Sequence, residues 1–281
     1  MILLDRLRAA STGGRRLLVP YVMAGTPDPD SFGDALRAIE GAADAVEVGL
    51  PFSDPLMDGP VIAAAGQRAL RAGVGPLDAL EMAGRVATRK PKVAMTYYNP
   101  IFRLGEHEFC ARAAARGFSG VIVPDVPLEE SELLRRAARD HGLAWIPLVA
   151  PTSRPARVRS LAETATGFVY AVSTLGVTGA RERLSELTAK VVSACRDATD
   201  LPVLVGVGIS SPEQARAAAA EADGVVLGTA VVRRVVDEGA ASARAFLDEV
   251  RAALDSRSTH NARQVPASPR AAADRSIRET D

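Results

Sequence analysis

A strict alternation governs this chain. Eight short apolar runs rich in β-branched residues fall at 17–23, 45–49, 93–97, 120–124, 144–149, 168–172, 203–207 and 224–227. Longer alanine- and arginine-rich stretches separate them, among them 30–40, 106–116, 130–141 and 212–222, with apolar residues at the helical period of about 3.6. A run that is apolar nearly throughout predicts a strand covered on both faces, as in a parallel sheet. Serine, proline and glutamate at 211–213 read as a helix start, and Gly41, Gly117 and Gly142 each follow a helical stretch as stop signals.

Eight such alternations predict an α/β fold, a (β/α)8 TIM barrel occupying residues 1–254 with a short helix at its N-terminus. Periodicity alone fits an open doubly wound sheet as well. No GxGxxG fingerprint follows the first strand, which favours the barrel over a dinucleotide-binding sheet. From residue 255 the alternation stops. Residues 255–281 hold two prolines, five arginines and no aromatic residue, too little apolar surface to offset the entropy of ordering, so a disordered tail is expected there.

The charge balance removes several function classes. Thirty-four basic and 34 acidic residues give a formal charge of zero, without the clustered basic face of a nucleic-acid binder. No apolar run approaches the roughly 18 residues of a membrane span, and MILLDRLRAAST at the start is amphipathic rather than a signal peptide. Cys110 and Cys195 lie far apart in helical stretches and read as reduced thiols of a cytoplasmic protein. Three histidines without ligand spacing predict no metal site.

In a barrel of this kind the chemistry sits at the C-terminal ends of the strands. Glu47 is the strongest anomaly there: a carboxylate among valines in the second run, costly to bury unless paired, protonated or used. Apolar neighbours raise its pKa and suit it to proton exchange near neutrality. The following loop carries Asp54 and Asp58 among Pro51, Pro55, Gly59 and Pro60. Aspartates before proline or glycine are also ordinary turn formers, so residue type alone admits both roles. VGVGISSPE from Val205 and LGTAVV from Leu227 are glycine-centred passages from strand to helix, suited to holding a phosphate on backbone N–H groups. TLGVTGA from Thr174 is a third glycine-rich loop with the composition of a lid. Tyr97, Tyr98 and Asn99 close the third run and Tyr170 lies in the sixth, positions open to core packing or substrate contact.

These residues, with VPYVMAG from Val19, EVGLPFSDP from Glu47, DGP from Asp58, MTYYNP from Met95, VPDVP from Val123, GVTGAR from Gly176 and GVGIS from Gly206, resemble the tryptophan synthase alpha subunit family over about residues 2–254. The resemblance implies retro-aldol cleavage of indole-3-glycerol phosphate to indole and glyceraldehyde 3-phosphate. It implies Glu47 as general acid/base and Asp58 at the indole N–H. It places Gly179, Gly208, Gly228 and Thr229 at the phosphate, and Tyr21, Tyr97, Ile122, Tyr170 and Thr178 around the indole or in its lid. It implies a β-subunit partner carrying pyridoxal phosphate in an α2β2 heterotetramer, addressed through Asp54 and Pro55, with no cofactor in this chain. Met57 stands where the family usually has alanine, Met23 where it has threonine and Thr229 where it has serine. A free-standing lyase, a binding subunit without catalysis and a generic sugar-phosphate enzyme are the alternatives. A Schiff-base aldolase needs a lysine at a strand's C-terminal end, and Lys92 precedes the third run.

Overall fold

The computed structural model describes residues 2–172, 181–206 and 208–256, with backbone only for 181–188. Beyond a first helix α1 (Ile2–Ala10), strands and helices alternate as β1 (Leu17–Met23), α2 (Phe32–Glu40), β2 (Val46–Gly49), α3 (Pro60–Arg71), α4 (Pro76–Arg85) and β3 (Lys92–Met95). They continue through α5 (Tyr98–Leu104), α6 (Glu106–Ala115), β4 (Phe118–Ile122), α7 (Glu132–Asp140), β5 (Ala144–Trp145), β6 (Leu148–Val149), α8 (Pro155–Thr164) and β7 (Val169–Val172). The last are α9 (Arg181–Arg196), β8 (Val203–Gly206), α10 (Pro212–Glu221), β9 (Gly224–Leu227), α11 (Thr229–Asp237) and α12 (Ala240–Asp255).

All strand pairs are parallel, in the order β5-β4-β3-β2-β1-β9-β8-β7-β6. The two ends of that order are halves of one strand, separated only by Ile146 and Pro147. Ile146 N–H still donates to Val121 O (3.2 Å), and Pro147 O accepts from Tyr170 N–H (3.1 Å). The sheet therefore closes into the expected (β/α)8 barrel. Residues 144–149, read from sequence as one strand, are two because Pro147 has no N–H to give to the ladder.

Alternation along the strands sorts side chains into two cores. Leu17, Val19, Ala45, Val93, Ile122, Ala144, Ile146, Phe168, Tyr170, Leu204 and Val226 form the interior cluster, while Leu18, Val46, Val48, Ala94, Val121, Trp145 and Val225 pack outward beneath the helices. Leu3 and Leu7 of α1 join the interior cluster, both fully buried, so the first helix is the barrel's floor. A Cβ at Gly120 or Gly167 would stand 3.0 Å from Leu3 Cδ2, which explains two glycines at strand starts. Truncating either leucine should cost roughly 2–5 kcal/mol by the usual cavity penalty.

A buried ionic knot ties the other end of the chain to the same face. Asp44, 2% exposed in its side chain, accepts from Leu18 N–H (2.9 Å), Arg15 (2.5 Å) and Arg251 of α12 (3.3 Å). Arg251 also reaches Arg16 O (2.8 Å) and Asp255 (2.8 Å).

Several expected helix signals are present in detail. Ser211 Oγ accepts from Gln214 N–H (3.3 Å) ahead of Pro212, and Gly117 and Gly142 take positive φ. Gly41 differs: its φ of −60° is helical, so no left-handed turn requires glycine there, and the Arg244 guanidinium lies over the position a Cβ would take. Tyr98 and Asn99, read as the end of the third strand, instead open α5. The Asp125 carboxylate accepts Tyr98 N–H (2.8 Å), and a proline in the first turn is tolerated because its missing N–H is not needed. The expected tail lies outside the described residues beyond 256. Among the described residues no helix is long and apolar enough to cross a membrane.

Candidate active site

Inward parity brings the predicted strand residues to one place. Ala45, just before β2, and Gly49 on it flank Glu47 at the same parity, and Ala45 belongs to the barrel's interior cluster, so Glu47 points inward near the C-terminal end. It is 1% exposed, and its Oε2 has no hydrogen-bond partner among the described residues. Burial, reinforced by the negative charge of Asp58, pushes its pKa up to about 8, so the carboxyl is mostly protonated at neutral pH.

Tyr21 is its register neighbour on β1 and is buried. A Cβ at Gly49 would lie 1.8 Å from the Tyr21 hydroxyl; the glycine exists to admit that ring. The same device recurs across the mouth, where a Cβ at Gly206 would lie 2.3 Å from the Tyr170 hydroxyl. Burial holds both phenols far above their ordinary pKa, with Asp58 and then Glu47 adding to the effect on Tyr21 and Glu47 to that on Tyr170. They remain neutral and can offer ring faces and O–H donors.

Asp58 belongs to the 50–59 loop, whose conformation is set locally and then tethered. Asp58 N–H donates to Pro55 O (3.2 Å) and Leu56 N–H to Asp54 O (2.9 Å), two successive turns. Tyr97, at the end of β3, accepts Met57 N–H on its hydroxyl oxygen (3.0 Å) and stacks on Phe52 with ring centroids 5.3 Å apart. Burial lifts the Asp58 pKa to about 6, while a hydrogen bond from Tyr97 opposes the rise. At pH 7 Asp58 is largely ionised while Glu47 keeps its proton. Two carboxyls with separated pKa values can divide acid and charge-stabilising duties.

The rest of the predicted set divides clearly. Ile122 is fully buried in the barrel interior, in register with Met95. Gly228 precedes α11 and Thr229 opens it; a Cβ at Gly228 would stand 3.3 Å from Ile62 and 4.0 Å from Tyr21 Cβ, so these amides adjoin the tyrosine. Gly208 has φ of +75° just before the Ser211-capped start of α10. Asp54 and Pro55 lie on the loop's outer side, with Ser53 Oγ donating to Asp54 (2.5 Å). Thr178 and Gly179 fall outside the described residues. Cys110 and Cys195 are buried thiols whose pKa burial raises to about 12 and about 11, packing residues as expected. Among the described residues no group of three or more His, Cys, Asp and Glu is arranged to hold a metal.

Four contributors escaped the sequence reading. Phe52 supports Tyr97, Gly49 and Gly206 make room for tyrosines, and Asp125 fixes the turn that follows Tyr97. Asp125 alone had a visible signal, an aspartate between prolines after strand four.

Fold and site define the class: a (β/α)8-barrel enzyme with acid–base groups at the C-terminal ends of its strands. A sequence profile of the tryptophan synthase alpha chain family matches residues 7–261. A tryptophan synthase alpha chain from Streptomyces avermitilis is 45% identical over 254 residues, covering 89% of this chain and 91% of the relative. One from Methanosarcina barkeri is 47% identical over 224 residues, with 79% and 84% covered. A Mycobacterium tuberculosis tryptophan synthase structure superposes with TM-score 0.83 at 38% identity, covering 90% of this chain and 97% of that one. The alpha chain from Legionella pneumophila gives 0.82 at 30% identity, with 91% and 98% covered. The chain belongs to the tryptophan synthase alpha chain family.

Proposed function

We propose that the chain cleaves indole-3-glycerol phosphate to indole and glyceraldehyde 3-phosphate, with Glu47 and Asp58 as its catalytic pair. The carrying observation is the buried Glu47 carboxyl, its Oε2 without a hydrogen-bond partner among the described residues, held protonated beside an ionised Asp58. Cleavage needs a proton at the indole carbon bearing the side chain, which converts the ring into an electron sink. Glu47 supplies that proton and, as carboxylate, then takes the proton of the side-chain hydroxyl on the adjacent carbon. The C–C electrons return to the ring, the hydroxyl carbon becomes the aldehyde, and neutral indole leaves. Asp58 accepts the ring N–H and offsets the positive charge on the protonated intermediate. Groups set in place before charge develops cost little reorganisation, which favours this step.

Tyr21, Tyr97, Ile122 and Tyr170 form the apolar wall for the indole, and the amides of Gly208, Gly228 and Thr229, with Gly179 from the glycine-rich loop, hold the phosphate. A phosphate at the start of α11 gains from N–H groups that have no intrahelical acceptor.

The partner in this reading is a β subunit, in an α2β2 assembly in the cytoplasm, with pyridoxal phosphate in the β chain and no cofactor in this one. Leu56 on the 50–59 loop is 88% exposed, and Met57 and Phe102, near the strand ends in sequence, are also largely exposed. Large apolar side chains beside Asp54 and Pro55 suit a protein–protein contact. The test is indole release by the purified chain with and without a cognate β subunit. Weak release that rises strongly with the partner supports the reading; strong release alone points to a free-standing lyase, and no release in either case overturns it.

A further inference from the structure

Opposite the mouth, where β3 and β4 begin, a cavity of about 470 Å³ opens beside α1. That is the scale of small-molecule sites. Arg6, Arg89, Lys90, Lys92 and Arg116 line it, and among the described residues no carboxylate does. In a chain with equal numbers of acidic and basic residues this is a local excess, and it takes in two of only three lysines. The other cavity on this face, about 250 Å³, is different in kind: Asp200 and Asp223 share it with Arg8, Arg15 and Arg16.

Lys92 is the built element. It is 4% exposed; its ammonium donates to Ala83 O (2.7 Å) and sits 5.5 Å from the Phe118 ring centroid. An ammonium carries three N–H donors, and a buried cation without a counter-charge is costly. Glu40 acts on it only through space while its carboxylate accepts Arg89 N–H (3.0 Å). Glu81 is committed to Arg116 (2.7 Å). Gly117 borders the lysine tip, where a Cβ would stand 3.9 Å from Lys92 Nζ. Thr88 and Ser119 add hydroxyls to the wall.

We propose that this cavity binds a small phosphate-bearing anion, at a site separate from the catalytic mouth. Arginine forks and a lysine point charge together match a multiply charged oxyanion better than a single carboxylate. Such a ligand stabilises the folded chain by mass action and clamps α1 to the loops before β3 and β4.

Inorganic pyrophosphate is the probe, with citrate as the non-phosphate control, and the full chain is titrated calorimetrically and followed by amide hydrogen exchange. Exposed Arg89 and half-buried Lys90 are changed together in R89S/K90S. Expected are slowed exchange at 84–92 and 115–119 in the wild type, affinity about tenfold or more weaker in the variant, as loss of two charge-assisted contacts implies, and unchanged indole release. Tighter binding of citrate than pyrophosphate, protection confined to residues 206–211 and 228–230, or equal affinity in both proteins overturns the proposal. None of these outcomes depends on whether the chain cleaves indole-3-glycerol phosphate.

Discussion

The hydroxyl oxygen of Tyr97 accepts the backbone N–H of Met57 at 3.0 Å, so the residue before Asp58 hangs from the end of β3. A loop carboxylate thereby takes its position from the rigid barrel rather than from the loop alone. Removing that anchor by Tyr97→Phe also removes the hydrogen bond that holds the Asp58 pKa down. The expected result is a kcat reduced roughly 10- to 100-fold, the scale of a hydrogen bond to a charged group. The acid limb of the pH profile should also move above about 6. A Tyr97→Phe enzyme with wild-type kcat and an unmoved limb would remove this tyrosine from the site.

Glu47→Gln keeps the shape and deletes the carboxyl proposed as proton donor. Indole release should fall by about two to four orders of magnitude, the usual contribution of general acid–base catalysis, with substrate affinity retained. Steady-state assays with the β subunit present check this.

The same substitution should stabilise the fold at neutral pH. The folded-state pKa of Glu47, about 8, is raised above its ordinary value of 4.5. A raised carboxyl lets the unfolded chain lose its proton first, so wild-type stability declines as pH rises from about 4.5 to about 8. Glutamine has no such penalty. Thermal melts should show Glu47→Gln above wild type at pH 7.5 and the gap shrinking by pH 4.5; a constant gap would contradict the buried, protonated carboxyl.

In the proposed mechanism activity needs Glu47 protonated and Asp58 ionised. Acting together, they set a bell for kcat/KM with limbs near 6 and 8, in which the two values belong to the pair. Loss on the acid side follows protonation of Asp58; loss on the alkaline side follows deprotonation of Glu47. A profile flat from pH 5 to 9 would deny both roles.

Asp44→Ala addresses the floor of the barrel. It leaves the buried Leu18 N–H without its acceptor, while Arg251 keeps Asp255 and Arg16 O, and should cost roughly 1–3 kcal/mol in urea unfolding, typical of a buried donor left unsatisfied. Under native conditions kcat should be unchanged, because the knot lies at the end of the barrel away from Glu47.

The barrel was legible because each strand is covered on both faces and so has a nearly unbroken apolar signature. Glu47 was legible for the same reason: it is the carboxylate inside such a signature. The two-residue strand halves were not, since Ile146 and Pro147 continue the apolar run while proline interrupts only the hydrogen bonding. Gly49 and Gly206 look like turn or flexibility signals in sequence, yet they make space for the buried Tyr21 and Tyr170. Asp44 drew no reading from the sequence, because its partners come from residues 15 and 251, separations that no local pattern records.

Leu3 and Leu7 fill the barrel from below, which makes the molecule a cup rather than a pipe. Whatever a cup of this kind makes leaves by the rim through which the substrate came. A small apolar product released there meets first whatever covers the rim, so a protein seated over Leu56 and Phe102 receives it without its crossing bulk water. The packed barrel interior, floored by the first nine-residue helix, thus leaves the rim as the way out.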